Sequence, residues 1–574
     1  MPMLSHLREV PKESRSWIRL WWPAWTMGAL GIARGLDEGI ISGVLNQKSF
    51  KSAFHFESDS AVENDIASML QAGSIIGSVL AFVVSDLLGR RRTAQLACLL
   101  WVLGTAIWFT SAHATGAHSG NLSQLLAGRF IAGLGVGITP VVSPTYLAEI
   151  APRAIRGLCV CIFSGSVYIG ILLGYWVNYG TAHNLADTSA LQWQVPAALN
   201  FIFAGLIFTS TFFIPESPRW LLKVSRPDEA RKALFWLRNR DDAHALVGQE
   251  FEEISAALEQ ERDARGQKAW YHIFVRLVTN RTNLHVLCIG LGIQVFGQFS
   301  GGGSMTVFAP KIFGFVGIKG QETKLFTTGI FGIVKLLSSL AAAFFVVDLL
   351  GRKFAVMCGL SIQAVASLYL ALYLRFHYSD SAVTETASSK AMADAAIFFI
   401  FLSGFAWAIG VNSVQYLSQT EMFSLEVRSL GVAIISVIHF LCQFGSSRSV
   451  NPIVTSGGPY TLFVFFFVMS VASLLFVFFM MPEVSGYPLE RIKELFEKKR
   501  WYLIGCTQNR PLRIKDQLAL GDDVPQLGME GESRLSQEGK ARLSHEGEAR
   551  LSQEGEEKKD DKEAQATVTK TADA

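Results

Sequence analysis

Stretches of about 20 apolar residues, enough to cross roughly 30 Å of hydrocarbon as helix, recur along this chain in two sets of six. The first set lies at 23–45, 64–86, 93–112, 123–147, 157–178 and 194–214. The second lies at 283–309, 326–348, 353–374, 395–418, 429–451 and 460–481. A chain with half its residues apolar and 17% charged is too oily for an ordinary soluble domain. In lipid each backbone polar group must be satisfied within its own segment, so the runs read as helices. The first run is of spanning length and follows a polar N-terminus, which predicts a retained helix and no cleaved signal.

The two sets repeat each other. Ser85-Asp86-Leu87-Leu88-Gly89-Arg90-Arg91-Arg92 returns as Val347-Asp348-Leu349-Leu350-Gly351-Arg352-Lys353, each time between the second and third runs of its set. Glu149 precedes Arg156 by seven residues as Glu421 precedes Arg428, and Pro215-Glu216 ends the first set as Pro482-Glu483 ends the second. The expected fold is an all-α membrane protein, twelve transmembrane helices in two pseudo-symmetric halves of six. Its expected parts are a cytoplasmic N-terminus (1–22), a first half (23–214), a helical linker (215–282), a second half (283–481) and a tail (482–574) that is disordered from about 510. Arg90, Arg91, Arg92, Arg153, Arg156, Arg352, Lys353 and Arg428 follow runs two, four, eight and ten, whereas the connections after runs three and five carry no basic residue. That bias puts both termini in the cytoplasm; Lys48, Lys51, Lys319 and Lys390 on the other side make it a majority vote.

In the linker, Pro227-Asp228-Glu229 opens a helix and Phe251, Ile254 and Leu258 are spaced for an amphipathic one, suited to latching the halves. In the tail, Arg-Leu-Ser recurs at 534, 542 and 550 amid Glu and Gly, a composition that buries no core. Cys98, Cys159, Cys161, Cys288, Cys358, Cys442 and Cys506 show neither disulfide nor zinc spacing and read as isolated thiols. Gly133, Gly135 and Gly137 lack the strand context of a dinucleotide loop and read as close helix packing. A net charge of +3 gives no reason to expect a nucleic-acid partner. No residue pattern suggests an enzyme, a metal or a cofactor.

These motifs resemble the sugar porters of the major facilitator superfamily over about residues 24–495, most of all the fungal sugar and quinate-type proton symporters. The likeness rests on Gly35-Leu36-Asp37-Glu38-Gly39, Asp86 to Arg91, Gly128-Arg129, Ala148-Glu149-Ile150-Ala151-Pro152-Arg153, Pro215-Glu216-Ser217-Pro218-Arg219-Trp220, Gln298 with Ser300 and Gly301, Asp348 to Lys353, Glu421 to Arg428 and Pro482-Glu483. The resemblance implies a secondary active transporter that works by alternating access and moves a sugar or a sugar-derived acid or polyol with a proton. It implies a monomer in a bilayer, expected in the plasma membrane, whose partners are a small-molecule substrate and protons. A non-transporting nutrient sensor and a metabolite exporter of the same fold are the alternatives.

Asp86, Arg90, Arg91, Glu149, Arg153, Arg156, Glu216, Arg219, Asp348, Arg352, Glu421, Arg428 and Glu483 sit where helices enter the cytoplasm. They are expected to form a gate of ion pairs, or else simply to anchor helix ends. Asp37 lies inside a spanning run, where a carboxylate is a functional-site hypothesis by default. The resemblance names Arg129 as its partner and proton coupling as its role; a permanent buried pair is the alternative. Glu38, about 100° round the helix, is expected to face solvent.

The substrate site departs from the resembled hexose porters. Amide positions hold Ser164, Gly297 and Gly303, leaving Gln298, while Tyr416 stands at a Trp position and His439 at another amide, with Gln443 one turn on. Unmade hydrogen bonds to ring hydroxyls weaken the case for glucose. Lys335, 13 residues from Asp348 and so about 20 Å up its helix, suits a carboxylate, or else snorkels or pairs with an internal acid. Gly301, Gly302 and Gly303 are expected to break the seventh helix, and Arg448 to snorkel at the outer end of the eleventh.

Overall fold

A computed structural model of the chain describes residues 18–56, 61–112, 120–152, 156–239, 245–265, 271–343, 351–377, 387–423 and 427–483. The chain divides into a unit spanning Met1–Pro511 and a second, Leu512–Ala574, which lies outside the described residues together with the Arg-Leu-Ser repeats. The first half contains α1 (Ile18–Gly28), α2 (Gly31–Val44), α3 (Ala61–Leu88), α4 (Arg90–Phe109), α5 (Leu122–Ile150), α6 (Arg156–Asn184) and α7 (Leu191–Ser210). Four shorter helices follow: α8 (Pro218–Lys223), α9 (Pro227–Arg238), α10 (Ala245–Arg265) and α11 (Tyr271–Thr279). The second half contains α12 (Arg281–Phe299), α13 (Gly302–Val307), α14 (Ala309–Phe315), α15 (Gln321–Ala341), α16 (Arg352–His377), α17 (Ala387–Ile409), α18 (Val411–Met422), α19 (Arg428–Gly457) and α20 (Pro459–Met480).

Ten of the described helical stretches are long and apolar enough to cross a membrane. The remaining two spans of the twelve-helix fold are the interrupted ones, α1–α2 and α12–α13–α14. The seventh span breaks where the glycine run predicts: Gly301 has φ +99°, a left-handed conformation that glycine adopts without strain, and α13 restarts at Gly302.

Small residues and lipid-facing residues divide each helix into two faces. On α3, Ile76, Val79, Val83 and Leu87 are exposed, while Gly73, Ser74, Gly77, Ser78 and Ala81 are buried on the opposite face. That buried face lies against α5: a Cβ on Gly133 would come within 2.2 Å of the Leu70 carbonyl oxygen, and one on Gly137 within 2.2 Å of that of Ser74. Ser74 and Ser78 hydroxyls donate across the same contact to the carbonyls of Gly133 (3.0 Å) and Gly137 (2.9 Å). Close backbone approach sealed by hydroxyls is how helices associate where lipid removes the hydrophobic drive. Gly133 and Gly137 are thus packing glycines, as their sequence context suggests. The Phe-rich α20 is not wholly lipid-facing: Phe463 and Phe466 are buried, and Phe478 and Phe479 are exposed. Cys288 is exposed, unlike buried Cys98, Cys159, Cys161 and Cys442.

The helix opened by Pro227 forms, and Phe251 and Ile254 of α10 pack on Leu234, Phe235 and Val247. Arg238 fastens this group to the first half by donating to the Ile150 carbonyl (2.9 Å) while paired with Glu250 (2.6 Å). Between the halves, α19 lies along α3 and α15 along α6.

Candidate functional site

Near the middle of the first span, α2 turns three ionisable side chains into the protein, each buried: Arg34, Asp37 and Glu38. Asp37 meets Arg129 of α5 through two parallel hydrogen bonds, Nη1 to Oδ1 at 3.0 Å and Nη2 to Oδ2 at 3.2 Å. This is the fork geometry in which a guanidinium holds a carboxylate most firmly. Arg129 Nε donates to the Ile66 carbonyl at 2.7 Å, so the cation is oriented from α3 as well.

Glu38 does not face solvent, which corrects the sequence expectation. Arg34, one turn earlier, donates from Nε to Glu38 Oε1 at 3.0 Å, and Gln443 Nε2 of α19 donates to the same oxygen at 2.8 Å. Arg34 also reaches the Tyr416 hydroxyl on α18 and Gln443 Oε1 (3.3 Å). Its guanidinium lies 5.7 Å from the centre of the Phe440 ring. A hundred degrees of rotation from Asp37 carries Glu38 from the first half's interior onto the surface that meets the second half. Sequence reasoning missed Arg34, although an Arg four residues before a Glu inside an apolar run is a readable sign of a buried i,i+4 pair.

The second half supplies a polar chain. His439 Nδ1 contacts Gln294 Oε1 (2.8 Å) and Gln298 Nε2 (3.1 Å). Gln294, one turn before Gln298, was not singled out from sequence. Ser304 and Ser446 share a hydrogen bond at 2.5 Å. Gly303 stands close by, its Cβ position 3.2 Å from Gln298 Oε1. Lys335 Nζ bonds the Thr306 hydroxyl and lies 4.9 Å from the Phe331 ring centre and 5.8 Å from that of Tyr168. It is buried and so does not snorkel. Ser164 is buried but bonds back to the Cys161 carbonyl at 3.0 Å. Several buried polar atoms have no hydrogen-bond partner among the described residues: Gln294 Nε2, His439 Nε2, Asn412 Nδ2, Gln415 Oε1 and the Tyr168 hydroxyl. Buried polar groups of this kind call for an explanation such as a ligand or water.

At the end of the bundle that carries Arg90, the ion pairs seen among the described residues join helices of the first half to one another and to the linker. Arg90 bonds Glu149 (3.0 and 3.2 Å), Asp86 (3.3 Å) and the Ser85 carbonyl (3.0 Å), and Lys223 pairs with Asp86 at 2.8 Å. Glu216 accepts from the backbone N–H groups of Arg90 (2.8 Å) and Arg91 (3.1 Å), capping α4. Burial pushes the Glu216 carboxyl above its usual range, against the downward pull of these N–H donors. The duplication is visible here: Glu483 accepts from the N–H groups of Arg352 (3.0 Å) and Lys353 (3.0 Å) in the same way. Gly89 and Gly351 precede these helices at φ +90° and +87°, and a Cβ at either would strike the capping glutamate.

Arg90, then, and not Arg91, is the hub, since among the described residues the Arg91 side chain donates only to the Ile214 carbonyl at 3.2 Å. Arg428 Nη2 donates to the Phe423 carbonyl (3.2 Å), and Arg219 makes no ion pair among the described residues. Asp348 and Arg153 lie outside the described residues, as do the side chains of Arg156 and Glu421. Arg90→Ala should therefore cost about 3 kcal/mol, because it leaves Glu149 without its guanidinium in a largely dry setting. Arg91→Ala should cost about 1 kcal/mol, one neutral-acceptor bond. Thermal unfolding of the purified proteins in detergent compares the two, and equal losses would remove Arg90 from the centre of the network.

At the opposite end two ion pairs cross between halves, beside a Lys48–Asp187 pair (2.9 Å) within the first. Arg448 of α19 meets Asp65 of α3 at 2.8 Å, and His183 of α6 meets Glu322 of α15 at 2.6 Å. Arg448 is thus a tie between halves as well as a half-exposed side chain, which extends its reading as a snorkelling residue.

A chain of two six-helix halves has counterparts among known proteins. The profile described as "Sugar (and other) transporter" matches residues 25–496. The quinate permease of Neurospora terricola is 32% identical over 497 residues, covering 86% of this chain and 91% of that protein. The quinate permease of Emericella nidulans is 31% identical over 517 residues, covering 90% and 95%. The proton:xylose symporter XylE bound to 6-bromo-6-deoxy-D-glucose shares the fold at a TM-score of 0.70, with 24% identity over 83% of this chain and 99% of that one. An inward-open XylE from E. coli superposes at 0.62. With its family profile matched across both halves and both interrupted spans, the chain belongs to the sugar (and other) transporter family of the major facilitator superfamily: an integral membrane protein that relocates a sugar-like solute and is not an enzyme.

Proposed function

We propose that this protein is a proton symporter for a polyhydroxylated, sugar-derived substrate, most simply an acid. It works as a monomer in the plasma membrane, with both termini cytoplasmic and the Arg90 end facing the cytoplasm. The observation that carries the reading is the dry, two-point contact between Asp37 and Arg129, which joins two helices of the first half beside the central polar cluster. A proton arriving on an Asp37 oxygen removes the negative charge that holds Arg129. Arg129 keeps its bond to the Ile66 carbonyl, and α2 is released from α5. Because α2 also carries Arg34 and Glu38, which touch the second half, the proton bias reaches the contact between halves. Two ligands that favour the same state are coupled, by thermodynamic necessity, in both directions.

The names of the fungal relatives, quinate permeases, support an acid substrate. Lys335, buried with a hydroxyl and two rings for company, supports it from this chain's own residues. Gln298, His439, Tyr416 and Gln443 are the residues we assign to the substrate's hydroxyls. Ser164 and Gly303 leave room where the resembled porters place amides. Asp86, Arg90, Glu149, Glu216, Arg352, Arg428 and Glu483 brace each half at the cytoplasmic end, so that it moves as one body.

The test is uptake of hexoses, polyols, quinate and uronates into transporter-deficient cells, with and without a protonophore. Protonophore-sensitive uptake of one class is the expected result. No flux for any member, with ligand binding retained, would make the protein a sensor. The outer tie has its own test. Reversing one charge with Arg448→Glu should change the uptake rate by up to about fivefold, in keeping with an exposed pair worth at most ~1 kcal/mol. Adding Asp65→Lys should restore it; a double variant no better than the single one would show that the pair is incidental.

A further inference from the structure

Five carboxylate, guanidinium or ammonium groups are buried in the middle of the described spans: the bases Arg34, Arg129 and Lys335 and the acids Asp37 and Glu38. Two pairs account for four of them, Arg129 with Asp37 and Arg34 with Glu38. Lys335 is left with the Thr306 hydroxyl and the rings of Phe331 and Tyr168. When Lys335 carries its proton, a centre with one more base than acids is completed by a single negative charge, and a neutral sugar brings none.

The position of that charge follows from the contacts. Among the described residues Arg34 is the one of the three bases that makes hydrogen bonds to both halves: Glu38 on its own helix, Tyr416 and Gln443 in the second. It offers a planar fork of donors, the geometry that matches a carboxylate. Its neighbour Tyr168 has a buried hydroxyl with no partner, facing the same group of charges. Lys335 in turn lies 5.8 Å from the ring centre of the same Tyr168. We propose that Arg34 is the anchor for the carboxylate of a polyhydroxy monocarboxylate substrate, and that Glu38 occupies this anchor as an internal stand-in which the substrate displaces towards Lys335. With substrate seated, three bases face three acids: Arg129 with Asp37, Arg34 with the substrate, Lys335 with Glu38. The exchange breaks and remakes hydrogen bonds only and transfers no covalent group. Because Tyr416 and Gln443 hold the same guanidinium, a seated carboxylate bridges the two halves through Arg34, which makes the contact specific for acids and sensitive to closure.

This inference rests on the transport reading above for its substrate class but is tested by binding, not flux. The full-length protein in nanodiscs is titrated with quinate, gluconate, glucose and myo-inositol, with dissociation constants from thermal shift and calorimetry. The wild type should bind the two acids at least tenfold more tightly than the two neutral polyols. Glu38→Gln, which removes the competing carboxylate and keeps a polar side chain, should tighten acid binding by up to about tenfold. The double variant Arg34→Gln with Glu38→Gln removes both charges, so it leaves no orphaned ion. It should weaken acid binding at least about thirtyfold, as expected for loss of a desolvated charged contact. The proposal is overturned if the double variant binds acids within threefold of wild type, if Glu38→Gln weakens them, or if the wild type prefers the neutral polyols or binds none of the four. Acid binding that follows this pattern without flux in proteoliposomes would leave the anchor standing and remove the transport reading.

Discussion

Asp37→Asn should abolish accumulation while leaving downhill exchange. The amide resembles the protonated carboxyl in size and charge, so it holds the first half in its proton-loaded form. One coupled proton and a pH step of one unit can concentrate a substrate about tenfold across a sealed vesicle, since each unit is worth 1.36 kcal/mol. For the variant, the inside-to-outside ratio should stay at one under the same gradient, with counterflow of labelled substrate still measurable. A ratio that still rises with the pH step would place the coupling elsewhere and leave Asp37 and Arg129 as a permanent structural pair. The prediction is sharp because the pair is buried and two-pronged. Charges in such a setting interact strongly, and a neutral substitute there does not behave like a screened one at the surface.

Gly35→Val should prevent the folded protein from forming, and for a reason that is almost purely steric. A Cβ at Gly35 would stand 1.9 Å from the Val167 carbonyl oxygen, and one at Gly31 2.4 Å from that of Phe163. The obstacles are backbone atoms of α6, which cannot turn aside as a side chain can. Admitting two more methyl groups means prising α2 off α6, at about 3 kcal/mol or more. The displacement would also shift Arg34, Asp37 and Glu38 out of register with Arg129 and Gln443. Gly165→Ala on α6 is the control, because nothing lies within 4 Å of its Cβ position. It should leave expression unchanged or raise it slightly, in line with helix propensity. Size-exclusion profiles of fluorescent fusions separate the two outcomes; a monodisperse Gly35→Val peak at wild-type yield would mean that α2 and α6 have far more room than the backbone contacts allow.

Most of the fold was legible because a membrane imposes simple rules. Length and apolarity locate the spans, the Gly301–Gly303 run marks the break in the seventh, and Pro227 marks the start of a linker helix. The site was legible only in part. Asp37 stood out because a charge is rare in lipid, the family resemblance supplied Arg129, and the structure brings the two together. Glu38 was misplaced because helix geometry says which way a side chain points but not what waits there. On a lone helix a direction 100° from Asp37 reads as solvent; in the assembled bundle it is the face that meets α19. Gln294, Asn412 and Tyr168 carried no signal, since an amide or hydroxyl in a spanning run is common and becomes notable only when its neighbours are seen to leave it without a partner.

The amino-acid sequence alone determined that the chain lives in lipid, that it is one six-helix unit repeated, and which residues are too polar to be there without cause. Those are properties of a segment and its solvent, so they need no knowledge of neighbours. The tertiary structure alone decided who meets whom: Arg90 with Glu149 inside one half, Asp65 with Arg448 across two, and Arg34 between Glu38, Tyr416 and Gln443. Partners separated by hundreds of positions along the chain are chosen by how helices pack, and a charge in oil is defined by its partner.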